Sequence, residues 1–209
     1  MLLKDLRVEW RTREITTSMG LLTLLMVIIL AAARSDPTFA PAAMWITYAF
    51  AAAVSLGRTF APERDHLAAL RLAPLDRGLI FASKALANWI VVTAVQVVSI
   101  PVFGALFTEA IWTRLPALVL PLMLGGAGLA AAGTLYGGLL AQARLREALL
   151  PILMLPVILP VLIAAVAATA AILDGQPVAA VRSHLQLLGT FDMLFATSSV
   201  FLFDALLDE

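Results

Sequence analysis

Residues 15–33 read ITTSMGLLTLLMVIILAAA, nineteen consecutive positions without a charge. At 1.5 Å of rise per residue such a helix is about 28 Å long, which matches the hydrocarbon core of a bilayer. Arg34, Ser35, Asp36 and Pro37 end it. The block makes the chain a helical membrane protein, and composition agrees. Of the 209 residues, 62% are apolar and 13% charged, whereas soluble domains carry about 25% charged residues. Fourteen basic and fourteen acidic side chains cancel, so nucleic-acid binding has no electrostatic support. The absence of cysteine excludes disulfides, thiol nucleophiles and cysteine metal sites.

Upstream lies MLLKDLRVEWRTRE, residues 1–14. Leu3, Leu6 and Trp10 recur at helical spacing, which predicts a short helix in the membrane interface. Asp5, Glu9 and Glu14 interrupt its basic residues, unlike a cleavable signal, so the first span is read as a retained anchor.

Downstream, five further apolar blocks follow. The second span, 38–57, is alanine-rich and the least hydrophobic, which predicts packing among other helices. The third, 79–107, has Asp76 as a cap for its first turn. It contains Asn88 and Gln96, which need partners across a helix interface, and Pro101, which predicts a kink. The fourth, 115–141, holds Gly125, Gly126, Gly128, Gly133, Gly137 and Gly138. Gly133 and Gly137 form a GxxxG pair, assigned to helix packing inside the subunit. The fifth, 149–172, carries Pro151, Pro156 and Pro160 and is predicted to be bent or partly broken.

The sixth span, 185–207, has Asp192 in its first third and Asp204 near its end. A carboxylate at the bilayer centre is costly. Asp192 is therefore expected near the outer interface, facing a polar interior or in a hydrogen bond between helices. With His184 it makes a candidate outer-side polar site. His184 is read as an interfacial side chain rather than a ligand to heme iron. The fold class is all-α, a polytopic bundle of six transmembrane helices forming a single transmembrane domain over 1–209.

Placing the N-terminus in the cytoplasm puts Lys4, Arg7, Arg11, Arg13, Arg58, Arg64, Arg71, Arg77, Lys84, Arg144 and Arg146 inside. Only Arg34, Arg114 and Arg182 then face out, a clear positive-inside bias with both termini cytoplasmic. The longest inner loop, 58–78, opens the charged stretch RTFAPERDHLAALRLAPLDRGLIFASK, residues 58–84. Pro62 can start a helical turn and Pro74 stop it. Leu67, Leu70 and Ala73 give an apolar stripe, with Glu63, Arg64, Asp65 and Arg71 as polar contacts. Such a helix can pass force from a soluble domain to the membrane; an ordinary surface loop is the alternative. The chain has no P-loop, no dinucleotide fingerprint, no HExxH and no serine, histidine and acid set. It reads as non-catalytic, with no metal site, so energy for transport must come from another subunit or an ion gradient.

Several stretches in order resemble the heme exporter protein B family (CcmB). They are WRTRE at 10–14, ERDHLAALRLAPLDRGLIFASKALANW at 63–89, LGGAGLAAAGTLYGGLLAQAR at 124–144 and REALLPILMLPVILPVLIAA at 146–165. The resemblance implies a permease-like subunit of ABC-2 type in the bacterial inner membrane, acting in cytochrome c maturation. It implies a cytoplasmic CcmA-like ATPase docking at Glu63, Arg64, Asp65, Leu67, Leu70 and Leu72, with Arg144 and Arg146 nearby. It further implies CcmC-like and CcmD-like membrane partners and a CcmE-like heme chaperone. ATP would be hydrolysed by the partner, and heme would be a handled substrate rather than a firmly bound cofactor. The acidic end FLFDALLDE departs from the family pattern. A generic ABC-2 exporter of lipid, drug or polysaccharide and a non-transporting membrane scaffold are the competing readings.

Overall fold

The computed structural model describes residues 7, 9, 11, 13–33, 36–56, 77–140, 143 and 145–208. Most of the expected interfacial helix at 1–14 and almost all of the loop at 58–78 lie outside these residues, as does the Asp76 cap. Six long helices follow one another: α1 (Glu14–Ala33), α2 (Ala40–Ser55), α3 (Arg77–Leu106), α4 (Ala110–Leu139), α5 (Arg146–Leu173) and α6 (Arg182–Asp208). Short 3-10 turns at Pro37–Phe39 and Val178–Val181 lead into α2 and α6.

Helix ends are set by local chemistry. The Glu9 carboxylate accepts from the backbone N–H and the hydroxyl of Thr16, both at 2.7 Å, in the first turn of α1. Asp36 does the same for the turn before α2, accepting from the Thr38 N–H at 2.9 Å. At the end of α5, Gly175 takes a φ of 91°. Its N–H donates to the Ile172 carbonyl at 3.0 Å, and that of Gln176 donates to Ala171 at 2.9 Å, which is a Schellman ending.

Among the described residues, five windows are long and apolar enough to cross a membrane, one in each of α1 to α5. The polar α6 is not one of them. At 27 residues it is about 40 Å long, and it packs along α3, α4 and α5. The fold is thus an all-α polytopic membrane bundle.

Two expectations change. The fifth span is one continuous helix despite Pro151, Pro156 and Pro160. Met154, Ile158, Val161 and Ala165 repeat at helical spacing on its opposite face and are fully or almost fully buried, so packing holds the rod together. Pro156 and Pro160 lie on the exposed face. Likewise α4 starts at Ala110, not 115, and carries Arg114 in its second turn.

The helix α4 sits centrally, with α3, α5 and α6 packed on it and α2 touching it more lightly; α1 packs chiefly on α2 and α3. Burial follows. In the apolar window that includes α2, 67% is buried, against 17% for α1, as the alanine-rich composition of α2 predicts. Between helices in lipid there is no hydrophobic drive, so hydrogen bonds and close packing hold the bundle. Trp45 Nε1 of α2 donates to Thr169 Oγ1 of α5 at 2.9 Å. Ser99 of α3 donates to its own helix at the Gln96 carbonyl, at 3.0 Å. Its single proton being used, it accepts from the Tyr48 hydroxyl of α2 at 2.9 Å. Tyr48 in turn meets Phe103 edge-on at 5.9 Å between ring centroids.

Replacing Thr169 with Val keeps the shape and removes the acceptor for Trp45. The expected cost is about 0.6 kcal/mol, with a ceiling of about 1.7, typical of interhelical hydrogen bonds in membranes. Reversible unfolding in mixed detergent micelles measures it; an unchanged midpoint would show that the bond carries no net stability.

Candidate coupling site

Residues 57–76 connect α2 to α3, so the neighbouring ends of these helices define what the segment can push on. Leu56, fully buried, closes α2. It lies on Gly133 of α4, where an added Cβ would stand 2.9 Å from the Leu56 Cβ. In the first half of α3, Asn88 Nδ2 donates to Thr134 Oγ1 of α4 at 2.8 Å. Thr134 passes its own proton to the Ala130 carbonyl at 2.6 Å. The helices on either side of the segment therefore grip two successive residues of one α4 turn. Lys84 lies one turn from Asn88, toward the start of α3, and is 2% exposed. It belongs to the packed bundle rather than to a solvated loop.

Deeper in the bundle, α4 presents Gly125, Gly126 and Gly128. A Cβ at 125 would overlap the Trp45 ring of α2. One at 126 would stand 3.2 Å from Gln96 Oε1 of α3, and one at 128 would stand 3.0 Å from Asp192 Oδ1 of α6. Gln96 also donates from Nε2 to the Leu122 carbonyl of α4, at 3.3 Å. Three helices thus bring a side chain onto a single turn of α4, two of them polar. Such close approach is the usual role of small residues in membrane interfaces.

The sequence-derived site residues fall into three groups. Glu63, Arg64, Asp65, Leu67, Leu70, Leu72 and Arg144 lie outside the described residues, and Arg146 is described only as the first backbone position of α5. Gly133 and Gly137 are buried on α4. His184 and Asp192 are not brought together: eight residues of helix separate them by about 12 Å. Asp192 Oδ1 lies against Gly128, which is about 17 Å from one end of α4 and about 27 Å from the other. The carboxyl therefore packs between α6 and α4, away from His184. Thr134 and Thr169 were not singled out from sequence. Their signal is a lone hydroxyl inside an otherwise apolar block.

Six packed helices of membrane-spanning length around a glycine-rich centre make a polytopic, permease-type membrane subunit. Among the described residues no group of three or more histidine or acidic side chains could hold a metal ion. The sequence model of the CcmB protein family matches residues 1–208, and the chain belongs to the CcmB family. Its members are multi-pass inner-membrane permease subunits of cytochrome c maturation and are not themselves catalytic. No curated protein matches the chain.

Gly133→Leu should force Leu56 off α4 and cost roughly 1–3 kcal/mol, the usual range for overpacking. Leu56→Ala in the same chain should restore part of the loss. Thermal unfolding of the two single variants and the double variant checks this; strictly additive losses would uncouple the two positions.

Proposed function

We propose that this subunit couples ATP hydrolysis by a CcmA-like ATPase to heme handling and to release of the loaded CcmE-like chaperone. CcmC-like and CcmD-like membrane proteins complete the complex. The segment at 57–76 faces the cytoplasm, as do both termini, following the bias in basic residues. Its Glu63, Arg64, Asp65, Leu67, Leu70 and Leu72 form the docking face, with Arg144 and Arg146 beside it. ATP stays on the partner, and heme is a handled substrate.

One observation carries the reading: Leu56 before the segment and Asn88 after it hold adjacent residues of one α4 turn, Gly133 and Thr134. A push on the segment therefore reaches the central helix from two sides. From there α4 contacts α3, α5 and α6 directly, so a local displacement becomes a rearrangement of the bundle. Packed helix interfaces move as discrete units rather than deforming continuously, which suits a two-state device.

The double variant Leu67→Asp and Leu70→Asp tests the docking face. Recovery of the ATPase with the purified subunit should fall at least about tenfold, a loss of about 1.4 kcal/mol of binding. Membrane insertion should be unchanged, and holo-cytochromes c should fall in parallel. Full recovery of the ATPase with the double variant would overturn the assignment.

A further inference from the structure

Along the outer seam between α1 and α3 the two helices leave a gap. On α1 the stripe Met19, Thr23 and Val27 is buried, and the helix packs on α2 and α3. The neighbouring stripe, with Gly20 and Leu24, is partly exposed. Nothing lies within 4 Å of where a Gly20 Cβ would be. Across the gap, Val95 and Ser99 of α3 are buried while Ala94 and Val98 are exposed. The result is a groove of about 120 Å³, floored by Thr23, Val95 and Ser99 and rimmed by Gly20, Ala94 and Val98. Both helices are tied to α2: Ser18 Oγ lies 3.4 Å from Ser55 Oγ, and Ser99 holds the Tyr48 hydroxyl. The Thr23 hydroxyl between them is buried without a hydrogen-bond partner, a further sign that α3 does not close on α1 here.

The two ends of the groove differ in chemistry. It begins at Thr16, the second residue of the apolar window Ile15–Ala33. From there it runs to Leu24, about 12 Å along the helix axis. At the mouth the Glu9 carboxylate is engaged by the Thr16 N–H and hydroxyl. Arg11 and Arg13, both exposed, lie on the short stretch between those two residues. The mouth therefore carries guanidinium groups at the edge of the bilayer, while the body is walled mainly by carbon. The groove is somewhat smaller than the roughly 150 Å³ cavity that holds one benzene molecule. It has room for a stretch of one hydrocarbon chain and not for a helix.

We propose that this groove binds one acyl chain of an anionic phospholipid from the leaflet in which α1 begins, with the lipid phosphate against Arg11 and Arg13. The exposed rim at Ala94 and Val98 opens sideways, so a chain enters from the bilayer without crossing the subunit. The occupant has to be apolar along the groove and anionic at its mouth, and a membrane phospholipid is both. Basic residues beside a span attract anionic lipid. A chain in the gap supplies the dispersion contacts that α1 and α3 do not make with each other. The lipid then acts as a spacer that seats the peripheral α1 on the bundle. The inference is independent of where the ATPase docks and of which side of the membrane α1 begins on.

The test is native mass spectrometry of the full chain, purified in mild detergent and titrated with phosphatidylglycerol or phosphatidylethanolamine. The expected result is one phosphatidylglycerol bound at least about fivefold more tightly than phosphatidylethanolamine. Gly20→Leu fills the groove from α1 and Ala94→Phe obstructs it from α3; each should lower phosphatidylglycerol occupancy at least about fivefold. Without added lipid, Gly20→Leu should unfold at no lower temperature than the unsubstituted chain, so its loss of lipid is not a loss of fold. Phosphatidylglycerol should raise the unfolding temperature of the unsubstituted chain and not that of Gly20→Leu. Arg11→Gln with Arg13→Gln should abolish the preference between the two lipids. Ile29→Phe, on the exposed face of α1 away from the groove, should change none of these. Equal binding of the two lipids by the unsubstituted chain, or undiminished phosphatidylglycerol binding by both Gly20→Leu and Ala94→Phe, would overturn the proposal.

Discussion

The bundle depends on how closely other helices approach one turn of α4. Lipid tails are as apolar as leucine, so apolar contact between helices gives little advantage over contact with lipid. What remains is dispersion at close range and hydrogen bonding. At Gly125 the Trp45 ring occupies the space of a side chain, and at Gly126 and Gly128 the ends of Gln96 and Asp192 do so. Trp45 then reaches past α4 to Thr169 on α5. A side chain at Gly125 would drive the Trp45 ring outward, while one at Gly126 or Gly128 would press the ends of Gln96 and Asp192 aside by a few tenths of an ångström. One turn of the central helix thus fixes the distances to α2, α3 and α6 together.

This arrangement also gives the family's role a physical route. A permease subunit without its own nucleotide chemistry must receive work through contacts. Here the helices before and after residues 57–76 meet the same α4 turn, and α4 meets three long neighbours. The continuous α5 packs on α4, with Met154, Ile158 and Val161 buried.

Much of the architecture was legible in the sequence because a bilayer imposes length and polarity on every span. The charge-free block at 15–33 and the alanine-rich second span led directly to a peripheral α1 and a buried α2. Asn88 and Gln96 were readable as groups in need of partners. That the partners are Thr134 and the Leu122 carbonyl was not, because the register between α3 and α4 is a tertiary property. The three prolines do not break α5, because one face of it is packed along its length. The surroundings of Asp192 were left open among an outer interface, a polar interior and a helix interface for a related reason: they depend on how α6 lies against α4.

The polarity of α6 bears on how the protein is made. Helices leaving the insertion machinery partition into lipid according to their own hydrophobicity, and an aspartate near the centre of a span costs about 2.5–3.5 kcal/mol there. The five apolar helices can each enter the bilayer alone. The sixth follows them in the chain, and its Asp192 meets Gly128 only once α4 is in place. Its integration is thus a docking event onto protein rather than a dissolution into lipid. Biogenesis of this subunit then has a direction, with the most soluble helix waiting for its receptor to be assembled.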